Sequence, residues 1–459
     1  METVSVKRTL KINIAGGPVP DIEKGPAVSA VAVLPDRFPF IKPRLLVKKG
    51  DRVKIGSPLF ADKDDKNLKF LSPGAGTVKD IQYGHRRTIT RIVIETDKTE
   101  TGKSEEAVPF EPIDEKRLSE MDRDRLIGVL MDQGLWPLIR NLPYRAIPPR
   151  DEKPASIWVS MDPADPFQVP SHIYLKGNEA HFVRGIRALE RLGAPVCICE
   201  SQNRPIEDET LAPLVTHRAS GPYPVEDPGV LLYHTKKSAD ENRAWFMTGQ
   251  DVVLLGRGLG SGRYPTSRIV AVSGLTNGNG SGGSANLNRF IQTRMGAPLS
   301  SLVRNPETLH DRRWIAGGLF RGRTAAPDGY MGFYETSLTL IEEAKDPELF
   351  GFLRPGLFKP TVSRTFLYAL HKKHFPAKAD MRGEERACIN CGKCEQVCPV
   401  DIMVQYAYKC IYAGELEETL MHGLLDCVEC GLCSYVCPAK IDLAESLKTT
   451  KHAYYEDRI

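Results

Sequence analysis

The chain contains the run Cys388-Ile-Asn-Cys391-Gly-Lys-Cys394-Glu-Gln-Val-Cys398-Pro399, followed by Cys427-Val-Glu-Cys430-Gly-Leu-Cys433-Ser-Tyr-Val-Cys437-Pro438. Each run fits the C-x2-C-x2-C-x3-C-P pattern that holds [4Fe–4S] clusters in bacterial two-cluster ferredoxins. Soft thiolates suit the iron of a sulfide cluster, and two matches in tandem leave little room for chance. The sequence therefore predicts a C-terminal module that carries electrons.

The spacing within each run predicts how the eight cysteines divide between two clusters. Three cysteines spaced by two residues can wrap one side of a cube, whereas the x3 gap sends the fourth cysteine to the other cluster. The first cluster is expected to take Cys388, Cys391, Cys394 and Cys437, and the second Cys427, Cys430, Cys433 and Cys398. Crossed ligands would hold the two clusters close together, which is the geometry of an electron relay.

Two zinc sites of four cysteines each are the alternative, because zinc sites also use C-x2-C pairs. Zinc gives no reason for the third closely spaced cysteine or for the x3-C-P ending. A disulfide framework fits less well, since the chain has 11 cysteines and its N-terminal residues do not resemble a signal peptide. Both observations predict a reducing, cytoplasmic setting. Cys197 and Cys199 are expected in the core, and Cys410 has no assigned partner.

Length and composition set the scale of the molecule. A chain of 459 residues is enough for about three domains at roughly 150 residues each. Its 41% hydrophobic and 26% charged residues are ordinary for a globular protein, and a net charge of +4 is too small to argue for nucleic acid. No stretch approaches the ~20 apolar residues that span a bilayer. Any membrane function is therefore expected to come through partner subunits.

The first hundred residues are predicted to form short strands, because glycine and proline punctuate an alternating pattern. The segments Gly50-Asp-Arg-Val-Lys-Ile-Gly56 and Pro73-Gly-Ala-Gly-Thr-Val78 resemble those of lipoyl- or biotinyl-type barrel-sandwich domains. In carrier domains of that type a lysine at the intervening hairpin tip is modified, and Lys63 and Lys66 lie at the tip. An ordinary solvated turn is the simpler interpretation of these lysines.

From residue 155 onward, a strand, a helix and a second strand predict a βαβ unit with a partly parallel sheet. A glycine-rich stretch follows, with glycines at Gly256, Gly258, Gly260 and Gly262. A loop of this kind could cradle the phosphate of a nucleotide or flavin through backbone N–H groups. It lacks both the G-x-G-x-x-G order and the P-loop ending, so an ordinary turn is the alternative.

Beyond the cysteines, nearly the whole chain resembles the A subunit of the Na+-translocating NADH:quinone reductase. The motifs that carry the resemblance are Lys11-Ile-Asn-Ile-Ala-Gly-Gly17, Gly50-Asp51-Arg52-Val53, Ser72-Pro-Gly-Ala-Gly-Thr-Val78, Arg86-Arg87, Ser220-Gly-Pro-Tyr-Pro224, Gln250-Asp-Val252, Arg294-Met-Gly-Ala297 and Gly322-Arg-Thr324. The strand 268–274, with Gly296-Ala-Pro-Leu and Ala316-Gly-Gly, resembles the soluble-ligand-binding β-grasp domain.

The fold class expected from these signals is a multidomain α+β protein. Its parts are a barrel-sandwich domain (1–100), a helical linker (101–154), a Rossmann-like α/β domain (155–262), a β-grasp domain (263–345) and a helical domain with the two ferredoxin motifs (346–459).

The resemblance implies a peripheral subunit on the cytoplasmic side of the inner membrane, held by the membrane and flavin subunits B to F of one complex. It implies that NADH is oxidised on another subunit, that quinone accepts the electrons and that sodium export is coupled to their transfer. One departure stands out. The well-known A subunits look as though they have lost most of these cysteines, whereas this chain keeps all eight. The stretch 276–286 also looks like an insertion.

Three other functions stay open from the sequence. An Rnf-type C subunit, part of a ferredoxin:NAD oxidoreductase, would carry FMN near Gly256–Gly262 and bind NADH. A zinc-stabilised assembly scaffold would have no redox role. A lipoyl-type carrier would be modified at the hairpin tip.

Overall fold

The computed structural model describes residues 1–457, apart from residues 13, 15–16, 19–20, 98–105, 275–286, 344–349, 351–352, 354, 358–366, 371–378 and 380–383. The stretch 276–286, interpreted above as an insertion, lies outside the described residues. No helix in the described part of the chain combines the length and the apolar character needed to cross a bilayer.

The described strands are β1 Glu2–Ser5, β2 Ile22–Lys24, β3 Ala30–Val33, β4 Pro43–Leu45, β5 Arg52–Val53, β6 Pro58–Asp62, β7 Lys69–Leu71, β8 Gly76–Tyr83, β9 Ile89–Thr96, β10 Arg140–Asn141, β11 Ile157–Ser160, β12 Val196–Ser201, β13 His217–Ser220, β14 Trp245–Thr248, β15 Ser267–Gly274, β16 Arg289–Arg294, β17 Arg312–Ala316, β18 Arg323–Ala325 and β19 Ser337–Glu342.

The described α-helices are α1 Glu115–Glu120, α2 Arg123–Asp132, α3 Ser171–Leu175, α4 Glu179–Glu190, α5 Pro228–Thr235, α6 Gly249–Ser261, α7 Lys393–Gln396, α8 Val404–Ala413, α9 Leu416–Met421, α10 Leu432–Val436 and α11 Leu443–Glu456.

The predicted parallel sheet is confirmed, and it has six strands in the order β1-β13-β12-β11-β14-β10. All pairs are parallel except β10 with β14. β11 is buried along its whole length, as expected for a strand covered on both faces. The helix predicted from the apolar spacing is α4, which packs against α6 on one face of this sheet.

The glycine-rich stretch is a helix, so the prediction of a loop over Gly256–Gly262 is wrong. α6 runs through Ser261, and Gly262 ends it with a left-handed backbone at φ 60°. A side chain at Gly256 would collide with the backbone of His181 in α4, and one at Gly260 would collide with Arg184. The glycines therefore permit close packing of two helices, and N–H groups in a helix interior are not free to cradle a phosphate.

A second six-stranded sheet has the order β18-β17-β19-β15-β16-β2. The strand predicted at 268–274 is β15, in the middle of this sheet. β15 is parallel to β19 and antiparallel to β16, so the sheet is mixed. Trp314, Leu338 and Leu340 lie in its core, and all three are at most 1% exposed.

The barrel-sandwich region forms two small sheets, β3-β9-β8-β5 and β4-β6-β7. Lys63 and Lys66 lie exposed in the turn between β6 and β7, at the predicted hairpin tip. The strands at the start of the chain leave this region, although the sequence placed them within 1–100. β1 pairs with β13 of the parallel sheet, and β2 pairs with β16 of the mixed sheet.

The linker 101–154 carries two helices, whereas a serine as candidate N-cap and the glycine at 134 predict a single helix from about Ser119 to Met131. Asp114 caps α1 by accepting a hydrogen bond from the backbone N–H of Arg117, and Asp122 caps α2 in the same way. Aspartate is a strong N-cap residue because its carboxylate satisfies an orphan donor of the first turn. Ser119 instead lies inside α1, where its hydroxyl bonds a carbonyl of the preceding turn.

The cysteine-rich C-terminal region packs against the parallel sheet. Val230 and Leu231 of α5 share a hydrophobic core with Leu432 of α10 and Leu447 of α11. All four side chains are at most 1% exposed. Burial of one such leucine contributes roughly 1.5–3 kcal/mol, so this contact joins the two regions firmly.

Candidate iron–sulfur centres and the adjoining cleft

The two cysteine motifs repeat one backbone conformation. Asn390 and Glu429, two residues after the first cysteine of each motif, have left-handed backbones with φ of 54° and 56°. Gly392 and Gly431 follow the second cysteines with φ of 67° and 77°. Left-handed residues turn the chain sharply, and glycine adopts this conformation without strain. Each turn therefore curls three cysteines around one point, and a short helix (α7 or α10) follows.

Cysteines from both motifs meet in the first site. A small pocket is lined by Cys388, Cys391 and Cys394 of the first motif together with Cys437 of the second. Cys391 is exposed and Cys388 is half-buried, so one side of this site faces solvent. A set of four thiol groups is the donor set that a [4Fe–4S] cluster requires, and it fits the predicted group.

The second site has the complementary composition. Cys398 of the first motif lies beside Cys427 and Cys430, and all three lie beside Cys433. Burial raises the pKa of the Cys398 thiol to about 12 and that of Cys430 to about 12. Thiols in such a setting stay protonated until a metal binds them, because metal coordination stabilises the thiolate.

Backbone N–H groups point at the cysteine sulfurs in both sites. Those of Val400 and Ile402 bond to Cys398, and that of Leu432 bonds to Cys430. In the first site the N–H of Glu395 bonds to Cys394. Hydrogen bonds to cluster sulfurs are one of the means by which a protein sets a cluster's reduction potential.

Side chains from distant parts of the chain hold the second motif. Tyr223 donates its hydroxyl hydrogen to the carbonyl of Cys430 at 2.7 Å, and Arg145 donates to the carbonyl of Val428 at 3.2 Å. Lys451, which is 0% exposed, donates to the carbonyl of Cys427 at 2.8 Å and pairs with Glu429. Three carbonyls of one loop are thus capped from outside it.

A buried ion-pair network lies next to this loop. Asp227, which is 1% exposed, accepts hydrogen bonds from Arg145 at 2.9 and 3.0 Å and from Arg321 at 2.6 Å. Burial alone would raise the pKa of Asp227, but the two guanidinium groups lower it to about 2. Arg145 comes from the linker and Arg321 from the turn between β17 and β18, so Asp227 joins three regions at the second site.

A cleft of about 1610 Å³ opens beside the second motif. Every region of the chain contributes to its walls. The aromatic side chains in these walls are Phe38, Phe40, Tyr144, Tyr174, Phe246, Phe320, Phe333, Tyr334 and Tyr435. Gly431 and Tyr435 of the second motif lie in these walls, so the cleft reaches the loop that carries Cys430 and Cys433.

Three charged side chains in the walls of this cleft have unusual surroundings. The guanidinium of Arg140 lies 4.4 Å from the ring centroids of both Phe246 and Tyr334. Asp165 accepts hydrogen bonds from the backbone N–H groups of residues 319–321, and burial nevertheless raises its pKa to about 6. Burial also raises the pKa of Glu226 to about 7. Two carboxyl groups here can therefore exchange protons near neutral pH.

Sequence reasoning missed these cleft residues. Arg140, Asp165 and Glu226 come from three separate segments and match no motif. Asp227 followed by Pro228 is a sequence signal for the start of a helix, and Asp227 does cap α5. It was no signal for a cleft, because the residues that complete the site lie far away in the sequence.

Comparison with known protein families assigns the parts of the chain. A family model described as "NqrA N-terminal barrel-sandwich hybrid domain" matches residues 4–97, and "NqrA second alpha/beta domain" matches residues 121–264. A model described as "4Fe-4S dicluster domain" matches residues 387–441. The chain is therefore a multidomain protein with a barrel-sandwich domain, an α/β domain and a C-terminal iron–sulfur dicluster domain.

Curated relatives extend the match to almost the full length. The A subunit of the Na(+)-translocating NADH-quinone reductase of Yersinia pestis bv. Antiqua (strain Angola) is 30% identical over 426 residues, which cover 92% of each chain. That of Rhodopirellula baltica is 30% identical over 427 residues, covering 92% of this chain and 91% of the relative. The chain belongs to the family formed by the A subunits of the Na+-translocating NADH-quinone reductase.

The solved structures add no argument about function. A NAD+-reducing [NiFe]-hydrogenase in the air-oxidised state aligns with 42% of this chain and 41% of its own, at 12% identity and a TM-score of 0.29.

Proposed function

We propose that the protein is a peripheral subunit of a Na+-translocating NADH:quinone reductase and that it passes electrons toward quinone through two [4Fe–4S] clusters. The observation that carries this proposal is the meeting of cysteines from both motifs in one four-sulfur pocket, within a chain of which 92% aligns with A subunits of that enzyme. The clusters would supply one-electron transfer, and the protein would supply their ligands, hydrogen bonds and surroundings.

The ligand sets are crossed in this proposal. Cys388, Cys391, Cys394 and Cys437 bind the first cluster, and Cys427, Cys430, Cys433 and Cys398 bind the second. The contacts of Cys437 with the first motif and of Cys398 with the second support this division. Analysis of acid-labile sulfide distinguishes these clusters from zinc bound in the same sites, since zinc brings no sulfide.

The cleft beside the second motif is the proposed place for quinone. Its aromatic walls suit an apolar ring and tail, and the second motif forms part of the lining. The Arg140 guanidinium could stabilise negative charge as the headgroup is reduced, because it is held between two rings with few competing partners. Glu226 and Asp165 could supply protons, since the pKa values of both lie near the working pH.

The remaining assignments rest on the family. The proposed partners are the membrane and flavin subunits B to F. NADH would be oxidised on one of those partners, and this chain would lie on the cytoplasmic side of the inner membrane. The parallel sheet supports a Rossmann-like domain over 155–262, and the mixed sheet supports a β-grasp domain over 263–345.

Loss of one ligand in the assembled complex tests the relay. The variant Cys394→Ala should lose one cluster and lower NADH-driven quinone reduction at least ~10-fold, because an electron relay fails when one carrier is missing. Cys199→Ala, which removes a buried thiol outside both sites, is the matched control and should retain both clusters. If anaerobically purified Cys394→Ala still gives both reduced-cluster EPR signals, the ligand assignment is wrong.

Anaerobically purified protein with the unmodified sequence distinguishes the other candidate functions. A yellow protein whose flavin is bleached by NADH would favour the Rnf-type C subunit. Zinc without acid-labile sulfide would contradict the relay and favour an assembly scaffold. An intact mass with a lipoyl or biotinyl adduct at Lys63 or Lys66 would indicate a carrier.

A further inference from the structure

The structure brings together three metal-ligating side chains outside the two cluster sites. The sulfur of Cys410, a carboxylate oxygen of Glu418 and a ring nitrogen of His422 all lie within 4.8 Å of one another. We propose that these three residues form a zinc site, with water as the fourth ligand, that clamps the hairpin α8–α9. None of the three takes part in the proposed electron relay.

The local fold explains why the three residues converge. Cys410 lies in the last turn of α8, which Gly414 ends with a left-handed backbone at φ 80°. The chain then reverses into α9, where the N–H of His422 bonds to the carbonyl of Glu418 at 3.0 Å. Residues four apart on a helix share one face, so Glu418 and His422 both face Cys410 across the hairpin.

The spacing of the ligand atoms suits a tetrahedral ion. With Zn–S of about 2.3 Å and Zn–O of about 2.0 Å, tetrahedral geometry separates the two ligand atoms by roughly 3.5 Å. The sulfur of Cys410 and the Oε2 of Glu418 are 3.9 Å apart, so a shift of a few tenths of an ångström would close the site. A mixed set of one sulfur, one nitrogen and one oxygen is a donor set that zinc accepts.

Two further contacts favour metal binding over a chance cluster. The ring of Tyr406 lies 5.6 Å from that of His422 and limits the orientations of the imidazole, and the carbonyl of His422 accepts a hydrogen bond from Met403. Bound zinc would take the thiolate, and the thiol proton would leave to water.

The clamp would act on the segment that connects the two cysteine motifs. α8 and α9 lie between Cys398 and Cys427, so zinc at their shared end would restrict how the hairpin moves relative to both cluster sites. The site is open to solvent because Glu418 is exposed and the other two ligands are half-buried. Zinc can therefore enter after the clusters have formed.

Zinc binding by the full chain with intact clusters tests the proposal. Anaerobically purified protein, freed of loose metal by a chelator, should take up one Zn²⁺ per chain without losing iron. The Zn K-edge absorption spectrum should show one sulfur at about 2.3 Å and three nitrogen or oxygen atoms at about 2.0–2.1 Å. Cys410→Ser and His422→Gln should each weaken binding by more than the ~10–100-fold that loss of an outer-sphere partner costs.

The controls keep the test decisive. Glu417→Gln, an equal charge change at an exposed neighbour on α9, should bind zinc like the unmodified chain. Glu418→Gln serves as the test if Cys410→Ser fails to fold. It removes an exposed ligand and should weaken zinc binding without affecting folding. Zinc uptake unaltered by Cys410→Ser, or a spectrum with four sulfurs that indicates zinc in the cluster motifs, would overturn the proposal.

Discussion

The first cysteine motif faces solvent and the second faces the rest of the protein, although the two share one spacing and the same left-handed positions. The loop of the first motif has the local contact of Lys393 with Gln396 and one long-range hydrogen bond, from the ring of His234 to the carbonyl of Pro399 at 2.8 Å. Contacts of the second loop come from Tyr223, Arg145 and Lys451, all outside the motif.

The difference teaches that the motif and its surroundings have separate tasks. The motif determines which atoms can hold a cluster, since both copies converge on four sulfurs. The surroundings determine what each cluster can exchange electrons with. An open first site suits a protein partner, whereas a second site beside an aromatic cleft suits a small molecule. Electrons would therefore pass between the protein surface and the cleft through the two sites in turn.

The largest expected effect is the loss of a cluster when one of the crossing cysteines, Cys398 or Cys437, is replaced by alanine. In the proposed ligation Cys398→Ala removes the second cluster although the residue belongs to the first motif, and Cys437→Ala removes the first. Each variant should lose about half of the iron and sulfide, because a cluster does not persist without its fourth thiolate. EPR of the reduced protein should match Cys398→Ala to Cys433→Ala and Cys437→Ala to Cys394→Ala. The reverse matching would mean that each motif keeps its own fourth ligand.

The next largest effect is expected when a buried charge beside the second motif is removed, because the first motif has no such charge to lose among its described contacts. Lys451→Met removes the buried ammonium group from Glu429, which keeps His452 at 3.7 Å, and takes away the donor to the carbonyl of Cys427. The free energy of unfolding should fall by about 3–5 kcal/mol, as for other broken buried ion pairs. Chemical denaturation under anaerobic conditions measures the change. The surface variant Lys393→Met in the first motif should change stability by less than ~0.5 kcal/mol. Equal losses in both variants would contradict the claimed asymmetry.

The smallest expected effect is a pH dependence of the free energy of unfolding, caused by Glu226 in the wall of the cleft. The pKa of Glu226 is raised from 4.5 to about 7 by burial, so the folded state binds a proton that the unfolded state has already released. Stability from this group is full below about pH 4.5 and is lost as the pH rises through 7. Glu226→Gln should flatten this loss, which is on the order of 3 kcal/mol, in unfolding curves measured from pH 4.5 to 8. An unchanged pH profile would mean that Glu226 ionises normally.

Local pattern predicted the parts of the fold that depend on neighbours in sequence. The buried strand soon after residue 155, the strand at 268–274 and the turns that gather three cysteines in each motif all follow from spacing within a dozen residues. The glycine-rich helix α6 was misjudged because glycine usually breaks helices, whereas here tight contact with α4 outweighs its poor helix propensity.

Long-range contacts account for what the sequence could not predict. Arg140, Asp165 and Arg321 meet in one cleft, yet each is unremarkable among its own neighbours in the chain. The same holds for Cys410, whose neighbouring ligands are visible only after α8 and α9 have packed together. Chemistry that depends on tertiary packing leaves no periodic signal.

The route of β1 and β2 has a consequence for how the protein folds. Residues 2–5 are synthesised early, but their partners in β13 come only with residues 217–220, and β2 must wait for β16. β1 and β2 thus stay unpaired until much of the chain has emerged, and an unpaired strand can pair wrongly. An N-terminal affinity tag would lie beside β1, at the edge of the parallel sheet, so a tag at the other end is the safer choice for producing the protein.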